Sequence, residues 1–285
     1  MDIPPPPPML PPLMQHNAYV EPEFSCICAS STNIFYPTNS GYTNNIQSIN
    51  LIDGTQNFVE RSIYSPSCMC LSLDGQELFV QTSDDDGSVP SYCFDVLNAA
   101  DGTYIRSFGQ RGLGLEHIRE PSGIFVEGDE IFVSDGYHNR IQVLNADGTY
   151  KRTIRNDGLF FYPGDICISN GELFVADTEN DRIQVLRIED GSYVRTIGGT
   201  GSGPGQFIRP NAICVSGDYL FVAHDNRLSP KKCVQVLSID GTHVRFIGDD
   251  GRFSRNIGIC VSPDGRELFV VDTKNDNSRV NVFKV

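Results

Sequence analysis

The amino-acid sequence predicts an all-β chain, a six-bladed β-propeller of four-stranded antiparallel blades whose ring is closed by an N-terminal strand. Three observations predict it. A triplet with Phe between an aliphatic residue and an aliphatic or aromatic one recurs at blade-length spacing in six places: Ile34-Phe35-Tyr36, Leu78-Phe79-Val80, Ile131-Phe132-Val133, Leu173-Phe174-Val175, Leu220-Phe221-Val222 and Leu268-Phe269-Val270. Successive phenylalanines lie 44, 53, 42, 47 and 48 residues apart. Upstream of each stands a second apolar triplet: Ile27-Cys28-Ala29, Met69-Cys70-Leu71, Ile124-Phe125-Val126, Ile166-Cys167-Ile168, Ile213-Cys214-Val215 and Ile259-Cys260-Val261. Asp-Gly pairs recur downstream at Asp53, Asp101, Asp147, Asp190 and Asp240. A repeat of ~40–50 residues holding four short strands is the signature of a propeller blade, because one such meander cannot bury both its faces alone.

The strands follow in order within each unit. The upstream triplet is strand one and the Phe triplet is strand two. Strand three is clearest as Arg140–Leu144 and Arg182–Leu186, and strand four as Tyr150–Ile154 and Tyr193–Ile197. All four are short, β-branched or aromatic, and bounded by Gly, Asp and Asn; no helical period competes. The blades are expected at roughly 24–64, 65–111, 119–158, 162–205, 209–251 and 255–285. The sixth unit reaches Val285 with neither an Asp-Gly turn nor a fourth strand. An open ring would leave an unpaired sheet edge, so residues 13–20 are expected to supply the outer strand of blade 6. Residues 1–12, rich in proline, read as a disordered polyproline tail.

Composition narrows the function classes. The 285 residues are 39% hydrophobic and 20% charged, which is ample for a core and excludes disorder throughout. Twenty-two Lys and Arg against 36 Asp and Glu leave a net charge of −14, unfavourable for binding a phosphate backbone. No apolar run is long enough to span a bilayer, and the N-terminus lacks a basic signal-peptide region. The nine cysteines are odd in number and no Asn-x-Ser/Thr sequon occurs. A cytoplasmic, disulfide-free, monomeric protein is the expectation.

Cysteine holds the same inner-strand place in five units (Cys28, Cys70, Cys167, Cys214, Cys260), with Phe125 in the sixth, and Cys26 and Cys68 lie two residues earlier on the same strand face. Mid-strand C-x-C pairs lack the turn of a zinc knuckle, so these read as small buried hydrophobes. The run Gly198–Gly205 lies between a fourth strand and the next blade, where it reads as a linker rather than a phosphate cradle. In a meander, the loops entering strand one and those joining strands two and three emerge on one face. That face carries the long segments Thr82–Tyr92, with Asp84, Asp85 and Asp86, and His224–Lys232. Long loops on a rigid scaffold are the usual seat of recognition.

Around the axis on that face, four residues before each strand-one triplet, stand Glu23, Ser65, Glu120, Tyr162, Arg209 and Arg255. Two Glu opposed by two Arg do not make an oxygen cage for a hard cation, and the five histidines fall in different columns. Neither a catalytic residue, a metal nor a cofactor is expected. Arg209, Arg255 and Tyr162 form the expected anchor patch, with Glu23, Glu120 and Asp84–Asp86 as its acidic counterpart.

The run from Pro163 through Phe174-Val175-Ala176-Asp177 to Asn180-Asp181-Arg182-Ile183-Gln184-Val185 resembles the NHL repeat, as do Tyr137–Ile141 and the linker Gly198–Phe207 ending Pro-Gly-Gln-Phe. The resemblance covers roughly 109–223 and 255–285; Pro37 and Thr82 replace its Asp in blades 1 and 2. WD40 and kelch repeats lean on a recurrent Trp, and this chain has none. The resemblance implies a six-bladed propeller that binds a protein or peptide partner. It also admits a substrate-recognition component of a ubiquitin ligase, as in tripartite-motif NHL proteins, or a metal-dependent hydrolase or lyase. The expected function is a non-enzymatic interaction module.

Overall fold

A computed structural model describes residues 18–19, 26–39, 44–63, 66–82, 92–155, 158–224, 234–248, 253, 255–274 and 277–285. Its strands form six antiparallel four-stranded sheets, five of them sequential meanders. Blade 3 (Pro121–Glu127, Glu130–Asp135, Arg140–Asn145, Tyr150–Ile154) and blade 4 (Pro163–Ser169, Glu172–Asp177, Arg182–Arg187, Tyr193–Ile197) are the most regular. In blade 6 the fourth place is taken by Ala18–Tyr19, with Ala18 opposite Ser278 and Tyr19 opposite Asn277. The ring is therefore closed by the N-terminal strand. The rest of the expected segment 13–20, and the proline-rich residues 1–12, lie outside the described residues.

Period-two alternation on the middle strands puts the repeated phenylalanines between blades. Phe35, Phe132, Phe174, Phe221 and Phe269 are almost completely buried, each in a cluster drawn from two neighbouring blades. Each Asp-Gly turn closes in the same way. The Asp147 carboxylate accepts from the Thr149 backbone N–H at 2.9 Å and its hydroxyl at 2.6 Å, and the same bonds recur at Asp53 and Asp101. These bonds hold the three carboxyls below the usual range. Gly148 adopts φ +85, where an L side chain is strained, and its missing Cβ leaves room for Phe108 of the preceding blade.

Neighbouring blades are clamped by one device repeated three times. Arg106, Arg152 and Arg195 on fourth strands each make a bidentate pair with a glutamate opening strand two, Glu77, Glu130 and Glu172. Each guanidinium lies 5.6–5.8 Å from the centroid of its blade's buried Phe and donates to a carbonyl of the next blade: Ala146, Ile188 and Ile239 respectively. In blade 5 Tyr219 takes the glutamate's position. Replacing Arg195 by Ala is expected to lower stability by about 2 kcal/mol, because the bidentate pair, the stacking on Phe174 and the interblade bond go together. Glu172→Ala should cost about 1 kcal/mol, since the pair is part-exposed. Urea unfolding of the two variants checks both the values and their order.

Candidate functional site

The site begins with two buried aspartates ending second strands. Asp135 accepts from the Arg119 and Glu120 backbone N–H groups at 3.3 and 3.5 Å, sits 2.6 Å from His138 Nδ1, and accepts from Arg140 Nε at 3.2 Å. Asp177 accepts from the Phe161 N–H at 2.7 Å, from Asn180 Nδ2, and from Arg182 Nε at 2.8 Å. Both side chains are wholly buried. The strand-one entry and the two–three loop of a blade are thus tied to one carboxylate.

A second tie joins one blade to the next. Asn139 Oδ1 accepts from the Tyr162 backbone N–H, and Asp181 Oδ1 from that of Arg209, each at 2.7 Å. All four residues adopt left-handed φ between +50 and +55, a conformation that non-glycine residues hold only where surrounding contacts enforce it. The side chains above these ties are therefore pre-positioned.

Of the expected anchor residues, the structure brings Tyr162 and Glu120 together: the Tyr162 hydroxyl donates to Glu120 Oε2 at 3.0 Å. Partial burial, chiefly, and this bond push the Tyr162 phenol up. Arg209 pairs with Glu179 at 2.6 Å. Arg255 opens the first strand of blade 6; Glu23, Asp84, Asp85 and Asp86 lie outside the described residues. Three residues of the patch were missed. Arg119 stacks with its Cζ 3.7 Å from the Tyr137 ring centroid, and Phe161 is 55% exposed beside Tyr162 at 39%. The signal for Phe161 and Tyr162 was adjacency of two aromatics at a loop position; Arg119 and Tyr137 are eighteen residues apart in sequence and carry none. The result is a patch on blades 3 and 4, edged by Arg209 of blade 5, with aromatic faces, one stacked cation, one Tyr–Glu hydrogen bond and one Arg–Glu ion pair.

A family profile for a domain of unknown function, described as a 6-bladed beta-propeller, matches residues 155–227. No curated protein sequence matches. Among solved structures, a chain from the "Crystal structure of Nidogen/Laminin Complex" superposes with a TM-score of 0.63 at 16% identity, covering 78% of this chain and 79% of that one. A chain of Kuenenia stuttgartiensis hydrazine synthase superposes with a TM-score of 0.55 at 20% identity; 79% of this chain covers 60% of that one. At these identities the likeness concerns architecture alone. Together with the six four-stranded antiparallel sheets, it shows that this chain has the six-bladed β-propeller fold.

Proposed function

We propose that the chain is a non-enzymatic, cytoplasmic interaction module that binds a protein or peptide through the face carrying Tyr137, Phe161 and Tyr162, and that its blades are of the NHL type. The observation that carries this reading is the exposed aromatic–arginine patch on a backbone held by the Asn139 and Asp181 ties. Tyr and Arg on a preorganised surface bury large area with little loss of rotamer freedom, which is the chemistry of interface hot spots. Arg119 and Arg209 balance the carboxylates of Glu120 and Glu179, the latter paired with Arg209 and the former bonded by the Tyr162 hydroxyl, so the patch offers aromatic faces and polar edges rather than a net charge. That favours a partner presenting apolar side chains with backbone donors over a highly charged one. The similar chain in the nidogen/laminin complex comes from a protein assembly, which supports the reading.

Selection of a phage-displayed random-peptide library on the folded protein tests it. Tyr137→Ala and Phe161→Ser together are expected to weaken the selected peptides by at least about tenfold, while Tyr193→Ser on an outer strand leaves them unchanged. Equal binding by all three proteins would refute the assignment of the face.

A further inference from the structure

Along the propeller axis the inner strands enclose a cavity of about 730 Å³, within the size range of small-molecule pockets. One ring of its wall is Cys28, Cys70, Phe125, Cys167, Cys214 and Cys260, one residue from each blade. The mouth is framed by the strand one–two turns, at Leu73, Gly217 and Pro263–Gly265, on the face opposite the aromatic patch. Asp165 marks the inner end, where it also lines a small recess of about 60 Å³. Its place explains its direction. It stands two residues before Cys167, as Cys26 and Cys68 stand before Cys28 and Cys70, and it falls in a β-bulge between Pro163 and Ile166. Bulges re-aim side chains, and this one turns a carboxylate onto the axis.

The carboxylate is half satisfied. Oδ1 accepts from the Ile166 N–H at 2.9 Å and Oδ2 from the Ile213 N–H at 3.0 Å. Among the described residues no cation pairs with it, and the charged residues lining the cavity are Asp165 itself and Asp264 at the rim. Cys26, Cys68, Cys70, Cys167, Cys214 and Cys260 are the titratable groups facing it. Burial, first, and the nearby carboxylate push these thiols up, so they stay protonated and neutral. Protonated thiols behave as apolar wall, and a soft metal would need thiolates. The cavity thus combines an uncharged lining with one partly buried carboxylate that lacks a counter-ion.

We propose that the axial cavity binds a small apolar molecule bearing a single ammonium group, its nitrogen on Asp165 and its hydrocarbon against the thiol ring and Phe125. The ammonium supplies the positive partner that the two backbone N–H groups do not replace, and water is displaced from the apolar wall as the body enters. A carboxylate ligand would meet Asp165 as a like charge.

The test uses n-hexylamine, hexan-1-ol and hexanoate as probes, titrated calorimetrically into the whole protein at pH 8. Hexylamine is expected to bind at least about tenfold tighter than hexanol, and hexanoate not at all. Burial pushes the Asp165 carboxyl up to about 7 while the amine stays protonated. Hexylamine affinity should therefore rise about 30-fold from pH 5.5 to pH 8.5, and hexanol affinity should stay flat. Asp165→Asn should abolish both the preference and the pH dependence. Cys214→Phe fills the wall without touching the carboxyl and should reduce binding of hexylamine and hexanol alike. Equal affinity of amine and alcohol, a flat hexylamine profile, or binding unaffected by Cys214→Phe would each overturn the proposal.

Discussion

An Asp135→Ala protein should unfold with about 3–5 kcal/mol less stability than the parent, the largest effect expected of any single replacement on the binding face. The reason lies in what the carboxylate leaves behind. Arg140 is 2% exposed, and its Nη2 already donates to the Gly114 and His117 carbonyls, so it cannot turn out to water without breaking them. Removing Asp135 strands a buried guanidinium and two backbone N–H groups, at Arg119 and Glu120. Asp177→Ala should cost less, about 2–3 kcal/mol, because Arg182 is 29% exposed and keeps access to solvent. Replacing both members in blade 3, as Asp135→Leu with Arg140→Met, should recover part of the loss, since no uncompensated charge then remains. Urea unfolding followed by circular dichroism measures all three; the order Asp135 above Asp177 is the outcome that tests burial as the cause. Asp135 holds the loops of Arg119 and Tyr137, and Asp177 holds that of Phe161, so peptide binding should fall in both single variants before the protein unfolds.

The second large effect is a fall in stability as pH rises from about 5 to about 7.5. Burial pushes the Asp165 carboxyl from its ordinary value of 3.8 up to about 7, against the lowering bonds from Ile213 and Ile166. In this window the folded protein holds a proton that the unfolded chain has already released. The stabilisation is complete below about pH 4 and is lost as pH rises through the folded value. The full shift corresponds to roughly 4 kcal/mol, more than half of it lost within this window. Carboxylates of the turns, such as Asp53, Asp101 and Asp147, are held low by their own loop bonds. Their contribution has the opposite sign and is lost only at more acidic pH. Asp165→Asn should therefore flatten the slope between pH 5 and 7.5 while leaving acid unfolding unchanged. A parent protein equally stable at both ends of that window would contradict the partial burial of this carboxyl as the cause of its shift.

Much of the fold was legible because each signal is local. Glu130–Asp135 and Glu172–Asp177 alternate with the pleat around their phenylalanines, and Asp-Gly followed by Thr or Ser encodes its turn within four residues. The fourth strands expected at Tyr150–Ile154 and Tyr193–Ile197 have those bounds. Closure by the N-terminus was legible as well, since a ring with a missing strand has one economical remedy. Asp135 and Asp177 stand in one column of the repeat, where an Asp side chain commonly bonds its own loop. Both do so, but the buried Arg140 and the half-buried Arg182 that they also hold were not foreseen, because a residue type does not reveal its exposure.

The candidate site was legible only in part. Glu120 and Tyr162 occupy one column of the repeat, and the structure joins them by a hydrogen bond. Arg209 was read as an anchor residue of the same patch, and the structure pairs it with Glu179, which belongs to a different column. Asp165 was overlooked, although Cys26 and Cys68 mark its position.

Spacing and residue type by themselves determined the number of blades, the order of strands and the chemistry of the turns, since period-two burial and Asp-Gly geometry act over a few neighbouring residues. Only the tertiary structure decided which charges meet: Arg195 reaches a carbonyl of the next blade, Arg119 lies over Tyr137, and Asp165 faces the axis without a counter-ion. Those outcomes depend on the angle at which blades pack and on where a bulge turns the backbone, and electrostatics between groups distant in sequence is set by that geometry.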